Sequence, residues 1–231
     1  ITDYIMQKFK INTEVCFGND SLSELGAIEA KNAVIFTDAF LCKSGTADKI
    51  AGYMKNCSNI KIYSDIKPDP PIELIAEALD FLLKAEADVV VALGGGSSID
   101  AAKSTVLIAR KQTGKKLPLI AVPTTSGTGS EVTSFAVITD KTAGVKYPLV
   151  SDSLLPEKAI LSGELVMSVP PQITADTGFD VLTHALEAYI STQANDFSDA
   201  MAEKALEIAF EYLPEAYKNG NNEIAREKMH T

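Results

Sequence analysis

The chain has 231 residues, 46% of them apolar, and its 21 basic and 31 acidic side chains leave a formal charge of −10. That length buries one sizeable core, or a core and a smaller appendage, which bounds the chain at one to two domains. A net negative charge with no dense block of Lys or Arg repels phosphodiester backbones and anionic lipid surfaces, so neither nucleic acid nor membrane is an expected partner.

No apolar run reaches the roughly 18 residues of a membrane span, and the opening stretch ITDYIMQKFK has neither the apolar segment nor the cleavage site of a secretory signal. The expected compartment is the cytoplasm. Cys16, Cys42 and Cys57 are odd in number and show no C-x-x-C spacing, which points to reduced thiols. Because the chain starts at Ile1 and stops in MHT with no tapering polar tail, it is expected to be part of a longer protein.

Near the N-terminus, KINTEVCFG is a candidate edge strand. Apolar or β-branched strand candidates follow at 33–37 (AVIFT), 60–64 (IKIYS), 88–93 (DVVVAL) and 119–122 (LIAV). Between them lie helical patterns at 21–30, 44–55, 72–85 and 99–111. This alternation predicts a parallel sheet wrapped by helices, an α/β fold. Ser21 and Glu24 have capping-box spacing, and Pro70-Pro71 opens the helix at 72. FAVIT and KYPLV around DKTAG then predict a hairpin, and KAIL at 158–161 a further short strand. From Pro170-Pro171 onward the period is helical, with segments at 172–191 and 197–218, the second broken near Pro214, and a new start at 221. The boundary predicts an α/β domain over 1–170 and the incomplete start of an all-helical domain over 171–231.

Three stretches carry chemistry. Gly94-Gly95-Gly96-Ser97-Ser98 lies between a buried strand and a helix, where parallel α/β sheets bind ligands. Glycine lets the backbone approach a pyrophosphate, and the helix start offers unpaired amides. The stretch does not match G-x-G-x-x-G or the P-loop, and a plain tight turn is the competing reading. A second loop, from Pro123 to Glu131 (PTTSGTGSE), follows the next strand, so two hydroxyl- and glycine-rich loops on adjacent strand ends can embrace one phosphate-bearing ligand. Asp38 ends AVIFT, where a carboxylate can accept bonds from an adenosine ribose and repel a 2′-phosphate, favouring NAD over NADP; a turn-forming aspartate is the alternative. In TADTGFDVLTHALEAY, Asp176, Asp180, His184 and Glu187 share nearly one helix face, and Asp180 with His184 is the natural pair of metal ligands. Taken alone, that stripe reads better as a solvent-facing surface; the loops upstream reverse the balance.

With GGGSSIDAAK, PTTSGTGSEVT, KYPLVS and GFDVLTHALEAY in this order, the whole chain resembles the iron-containing alcohol dehydrogenases, and most nearly the propanol and ethanol dehydrogenases of propanediol and ethanolamine use. The resemblance implies a Rossmann-like dinucleotide-binding domain over 1–170, followed by the start of an all-helical metal-binding domain over 171–231, with the active site in the cleft between them. It implies Asp180 and His184 as the first two ligands of a catalytic Fe(II), with Zn(II) as the alternative. It gives two further ligands to later helices, and none to Asp176 or His230. For NAD it implies pyrophosphate on Gly95, Gly96, Ser97 and Ser98, and a path lined by Thr124, Thr125, Thr133, Phe135, Lys146 and Leu165, with Asp38 selecting NAD. Asp69 stands where the family often has asparagine, and a carboxylate lacks the amide donor. The implied reaction is hydride transfer between NAD(H) and a short primary alcohol or aldehyde, by a cytoplasmic homodimer with a bacterial microcompartment as a further address. Competing readings are a non-catalytic NAD-binding or assembly fragment, since two ligands rarely hold a catalytic metal, and a zinc-dependent glycerol dehydrogenase or dehydroquinate synthase type, whose metal motifs depart from GFDVLTHALEAY.

Overall fold

The computed structural model describes Met6 and residues 8–231. The remaining positions, 1–5 and 7, belong to the stretch expected to carry no signal segment, and lie outside the described residues. The strands are β1 (Glu14–Phe17), β2 (Ala30–Asp38), β3 (Cys57–Ile66), β4 (Val89–Gly94), β5 (Leu119–Pro123), β6 (Phe135–Asp140), β7 (Val145–Val150) and β8 (Lys158–Leu161). The helices are α1 (Ala39–Lys43), α2 (Thr46–Tyr53), α3 (Ile72–Lys84), α4 (Gly96–Thr113), α5 (Pro171–Tyr189), α6 (Asp196–Lys218) and α7 (Glu223–His230).

Six strands form one parallel sheet in the order β1-β8-β5-β4-β2-β3. The central strands are buried on both faces, which is why they read as continuous apolar runs. Side chains alternate across the sheet: Val34, Phe36, Val90 and Ala92 pack with α3 and α4 on one side. Ala33, Ile35, Val91 and Leu93 pack with α2 and the turn at Ser21–Ala27 on the other. This is the predicted Rossmann-like architecture, with helices on both faces. KINTEVCFG supplies β1 at an edge of the sheet, and the predicted hairpin forms as a separate two-stranded antiparallel sheet, β6-β7.

Several local expectations are corrected. The segment predicted as a helix over 21–30 is a 3₁₀ turn ending at Ala27, and the Ser21–Glu24 capping box does not form. Ser21 Oγ instead donates to the Leu161 carbonyl (2.7 Å), and Glu24 pairs with Lys158 (2.8 Å). The pattern at 44–55 resolves into α2 and an unpredicted α1 before it, because Asp38 Oδ1 accepts from the amides of Phe40 and Leu41 and starts a helix at once. Glycine did not delay α4, which begins at Gly96 rather than near Ile99. Pro214 lies inside an unbroken α6. Burial of Ala209, Leu213 and Ala216 on that helix offsets the roughly 3 kcal/mol of an interior proline.

The last three helices pack on one another and on the sheet domain. At Gly178 of α5 an added Cβ would meet Leu213 Cγ of α6 at 3.0 Å, so the two helices approach through a missing side chain. Buried Arg226 of α7 donates to Thr174 Oγ1 (2.6 Å) and the Val169 carbonyl (2.7 Å), tying α7 to the start of α5. Elsewhere α5 and α6 expose large apolar side chains, among them Phe179, Leu186 and Phe210. No helix among the described residues is long and apolar enough to cross a membrane, and all three cysteines are free thiols.

Gly52, by contrast, sits in α2 with nothing within 4 Å of an added Cβ. Gly52→Ala is therefore expected to raise stability by about 0.5–1 kcal/mol through helix propensity, read from the urea midpoint. A lowered midpoint would show that the helix surface there is occupied.

Candidate functional site

At the C-terminal ends of β2, β4 and β5 the chain turns into three segments that face one cleft of about 690 Å³. Its volume lies within the roughly 300–1,000 Å³ of small-molecule sites. Of the residues expected to hold a dinucleotide, Asp38, Gly95, Gly96, Ser97, Ser98, Thr124, Thr125 and Leu165 line it.

The cradle at its floor is built by glycine. Gly94 closes β4 with φ +145°, a backbone state that L side chains rarely adopt. Gly95 is the residue before the helix, and a Cβ there would meet Thr125 Oγ1 at 3.1 Å. At Gly96 an added Cβ would meet Thr128 Cγ2 at 2.9 Å. The two loops touch where side chains are absent, and the first turn of α4 retains amides that close no bond within the helix. Partial positive charge at that end suits an anion. Ser98 and Thr124 are buried beside it.

Asp38 divides its carboxylate between two roles. Oδ1 caps α1, accepting from the Phe40 and Leu41 amides at 2.8 and 2.9 Å, while the residue also faces the cleft. The cap accounts for the turn-forming reading and leaves Oδ2 for a ligand hydroxyl.

Asp69, Thr133, Phe135 and Lys146 do not line this cleft. Asp69 has φ +51°, donates its amide to Ser97 Oγ (3.4 Å) and pairs through its carboxylate with Lys146 Nζ (2.7 Å). The two expected cofactor residues thus hold each other at the rim. Thr133 and Phe135 present their carbonyls to Lys103 Nζ, each at 2.8 Å, and the Phe135 ring is exposed. Sequence reasoning missed the opposite wall of the cleft, Ser168, Val169, Pro170, Ile173 and Thr177, whereas Thr128 lies in the hydroxyl-rich loop it singled out. No local pattern marks the wall, because it comes from chain more than 40 positions downstream.

That wall runs from the segment before α5 into its first turns, which meet the second loop closely. A Cβ on Gly127 would lie 2.7 Å from the Thr177 carbonyl oxygen. Next to it Ser126 Oγ hydrogen-bonds His230 Nδ1 at 3.0 Å, and burial pushes His230 down to about 4, so its imidazole is neutral at pH 7.

One turn beyond Thr177, Asp180 and His184 lie on α5 with Oδ1 and Nε2 3.5 Å apart. Two ligand atoms each ~2.1 Å from a tetrahedral ion sit roughly 3.4 Å apart, so the pair fits one edge of a metal's coordination shell. Their side chains are 40% and 57% exposed, which leaves the other edge open. The one cluster of three ligand-type side chains among the described residues is elsewhere, at Glu14, Cys16 and Glu24, and Lys158 already occupies it as counter-ion.

The chain matches the profile of the iron-containing alcohol dehydrogenases over residues 12–162 and that family's C-terminal profile over 174–231. It is 47% identical over 225 residues to 1-propanol dehydrogenase PduQ of Citrobacter freundii, covering 97% of this chain and 61% of that protein. A sulfoacetaldehyde reductase from Bifidobacterium kashiwanohense, solved with NAD+, superposes with a TM-score of 0.90 at 34% identity, over 97% of this chain and 64% of that one. An iron-containing alcohol dehydrogenase from Thermococcus thioreducens superposes with a TM-score of 0.88 at 31% identity, over 96% and 64%. The chain therefore spans less than two thirds of the length of these relatives. Two profiles in consecutive register, over a parallel sheet whose glycine cradle faces an Asp–His helix, leave one conclusion about ancestry: the chain belongs to the iron-containing alcohol dehydrogenase family.

Proposed function

We propose that this chain is the nucleotide-binding part and the first metal-binding helix of an NAD-dependent dehydrogenase acting on short primary alcohols or aldehydes. The observation that carries the reading is the single cleft shared by Asp38, the Gly95–Ser98 turn, Thr124, Thr125 and Leu165. Gly95 and Gly96 form a concavity that a Cβ would fill, which suits the pyrophosphate of a dinucleotide. In the same reading residues 1–170 are the dinucleotide-binding domain and 171–231 the start of an all-helical domain. The exposed apolar side chains of α5 and α6 support a further helical layer over them.

When bound, NAD accepts or returns the hydride, and a divalent ion, Fe(II) or Zn(II), supplies Lewis acidity toward the alcohol or carbonyl oxygen. The chain's own residues do the rest. The start of α4 and the two loops seat the phosphates, Asp38 Oδ2 receives ribose hydroxyls, and Leu165 and Ile173 give the cleft apolar surface. Asp180 contributes a hard, anionic oxygen and His184 a borderline nitrogen, a mixture that accepts either ion.

The reading is tested by titrating NAD into this chain and by assaying NAD-linked oxidation of 1-propanol and ethanol, with either metal, after joining the chain to the remaining helices of a full-length relative. Binding by the chain with turnover in the joined protein is expected; no NAD binding by either would sink it. Within it, Asp38→Ser is expected to improve NADP affinity relative to NAD by about tenfold or more, since a carboxylate beside a 2′-phosphate repels it in a partly desolvated cleft. An unchanged ratio in paired titrations would count against Asp38 as the selector. The same reading makes the protein a homodimer joined at the β1 edge, where Phe17 is exposed. Light scattering that gave a monomer mass for the joined protein would exclude this.

A further inference from the structure

Lys103 is the one fully buried lysine among the described residues, and it does not touch the cleft. It stands on α4 two turns after the glycine cradle. Its ammonium donates to the carbonyls of Thr133 and Phe135, each at 2.8 Å, and approaches Thr133 Oγ1 at 3.2 Å and Ser130 Oγ at 3.3 Å. Asp100, one turn earlier, accepts the Val137 amide on Oδ2 at 2.9 Å and the Ser130 hydroxyl on Oδ1. Every one of these partners lies on the segment that leaves the hydroxyl-rich loop and becomes β6. Burial draws Lys103 down to about 8, against the opposing charges of Asp100 and Glu131. A buried ion pair taken as a whole is a poor source of stability, because apolar side chains of similar volume in place of both partners often do as well. What the pair fixes is position.

The hairpin it grips needs fixing. β6 and β7 pair in a ladder only with each other, outside the six-stranded sheet; beyond the grip they are held by buried Ala136, by Ile138 against the core and by the Thr139 amide on the Pro70 carbonyl at 2.9 Å. On β7, Lys146 pairs with Asp69, whose amide meets Ser97 on the first turn of α4. The chain thereby closes a ring: from the cradle to Asp69, across to Lys146, along the hairpin, and back to α4 through Lys103 and Asp100. We propose that Lys103 and Asp100 are positioning residues that hold the β6-β7 hairpin beside the rim of the dinucleotide cleft, so that they set cofactor affinity through Lys146. The proposal rests on the NAD-binding reading above.

The test uses Lys103→Met, which keeps the stem and removes the ammonium, alongside Lys146→Met, the double variant and the milder Asp100→Asn. For Lys103→Met the expected outcome is a melting temperature lowered by roughly 6–15 °C with the fold retained, faster amide exchange greatest over residues 133–150, and an NAD dissociation constant raised about tenfold. Lys146→Met is expected to weaken NAD as well, and in the double variant the two effects are expected to be less than additive, a coupling that general destabilisation does not produce. If Lys103→Met does not fold, Asp100→Asn reads the same exchange and affinity at smaller amplitude. Additive effects, or unchanged NAD affinity in Lys103→Met with wild-type binding intact, would overturn the positioning role alone. Absence of NAD binding by the wild-type chain would overturn the functional reading on which it rests.

Discussion

Gly96→Val is expected to reduce NAD affinity by about a hundredfold or more while leaving the fold intact. Residue 96 has no left-handed backbone requirement, and it occupies the first position of α4, so a side chain there costs the helix little. The damage is to the loop opposite. Cβ would already sit 2.9 Å from Thr128 Cγ2 and 3.1 Å from Thr128 Oγ1, and the two methyl groups of valine need more room still. Thr128 must withdraw, the second loop moves with it, and the surface against which a pyrophosphate would lie gains apolar bulk in place of backbone. Calorimetric titration with NAD, paired with a thermal melt, separates the outcomes. Unchanged affinity would remove the glycine turn from the binding site, whereas a collapse of the melting temperature would assign Gly96 to folding instead.

The second large effect is expected at the Asp–His pair. In the chain joined to a relative's remaining helices, Asp180→Ala or His184→Ala is expected to lower Fe(II) or Zn(II) affinity by about a hundredfold or more and to abolish turnover, with NAD binding retained. The geometry argues for it: Oδ1 and Nε2 already lie 3.5 Å apart with both side chains partly exposed, so one ion can reach both without rearrangement. In the 231-residue chain by itself, two ligands compete poorly with water, and metal is expected to bind weakly. Elemental analysis after gel filtration gives the occupancy. Full occupancy in either alanine variant would return the pair to the solvent-facing stripe that sequence spacing alone favours.

The parallel sheet was legible because its central strands are buried on both faces, so AVIFT, DVVVAL and LIAV stand out as unbroken apolar runs. Smaller decisions depended on tertiary context. Asp38 could be read from sequence either as a ribose acceptor or as a turn former, and only the fold shows that one oxygen caps a five-residue helix while the residue also faces the cleft. Pro214 breaks a helix by local rules, and only the burial of Leu213 and Ala216 explains why α6 continues. At the site, the glycine turn could be read directly, since its place in the cleft follows from missing side chains at the end of a strand. The far wall of the cleft could not: Val169, Pro170 and Ile173 carry no chemical signature and gain their role from where α5 starts. The same limit hid Lys103, which in GGGSSIDAAK looks like any helix-surface lysine until Thr133 and Phe135 arrive beside it.

The absence of a side chain at Gly127 has a consequence for where the two halves of the reaction meet. The second nucleotide loop rests directly on the Thr177 backbone of α5, and Asp180 follows on the same helix less than one turn later. In the proposed reading, cofactor and metal would thereby be surveyed from a common benchmark, with the spacing between them set by backbone dimensions rather than by the rotamer of any intervening residue. A side chain introduced at 127 would act as a shim, lengthening the path between hydride donor and acceptor while leaving each site well formed.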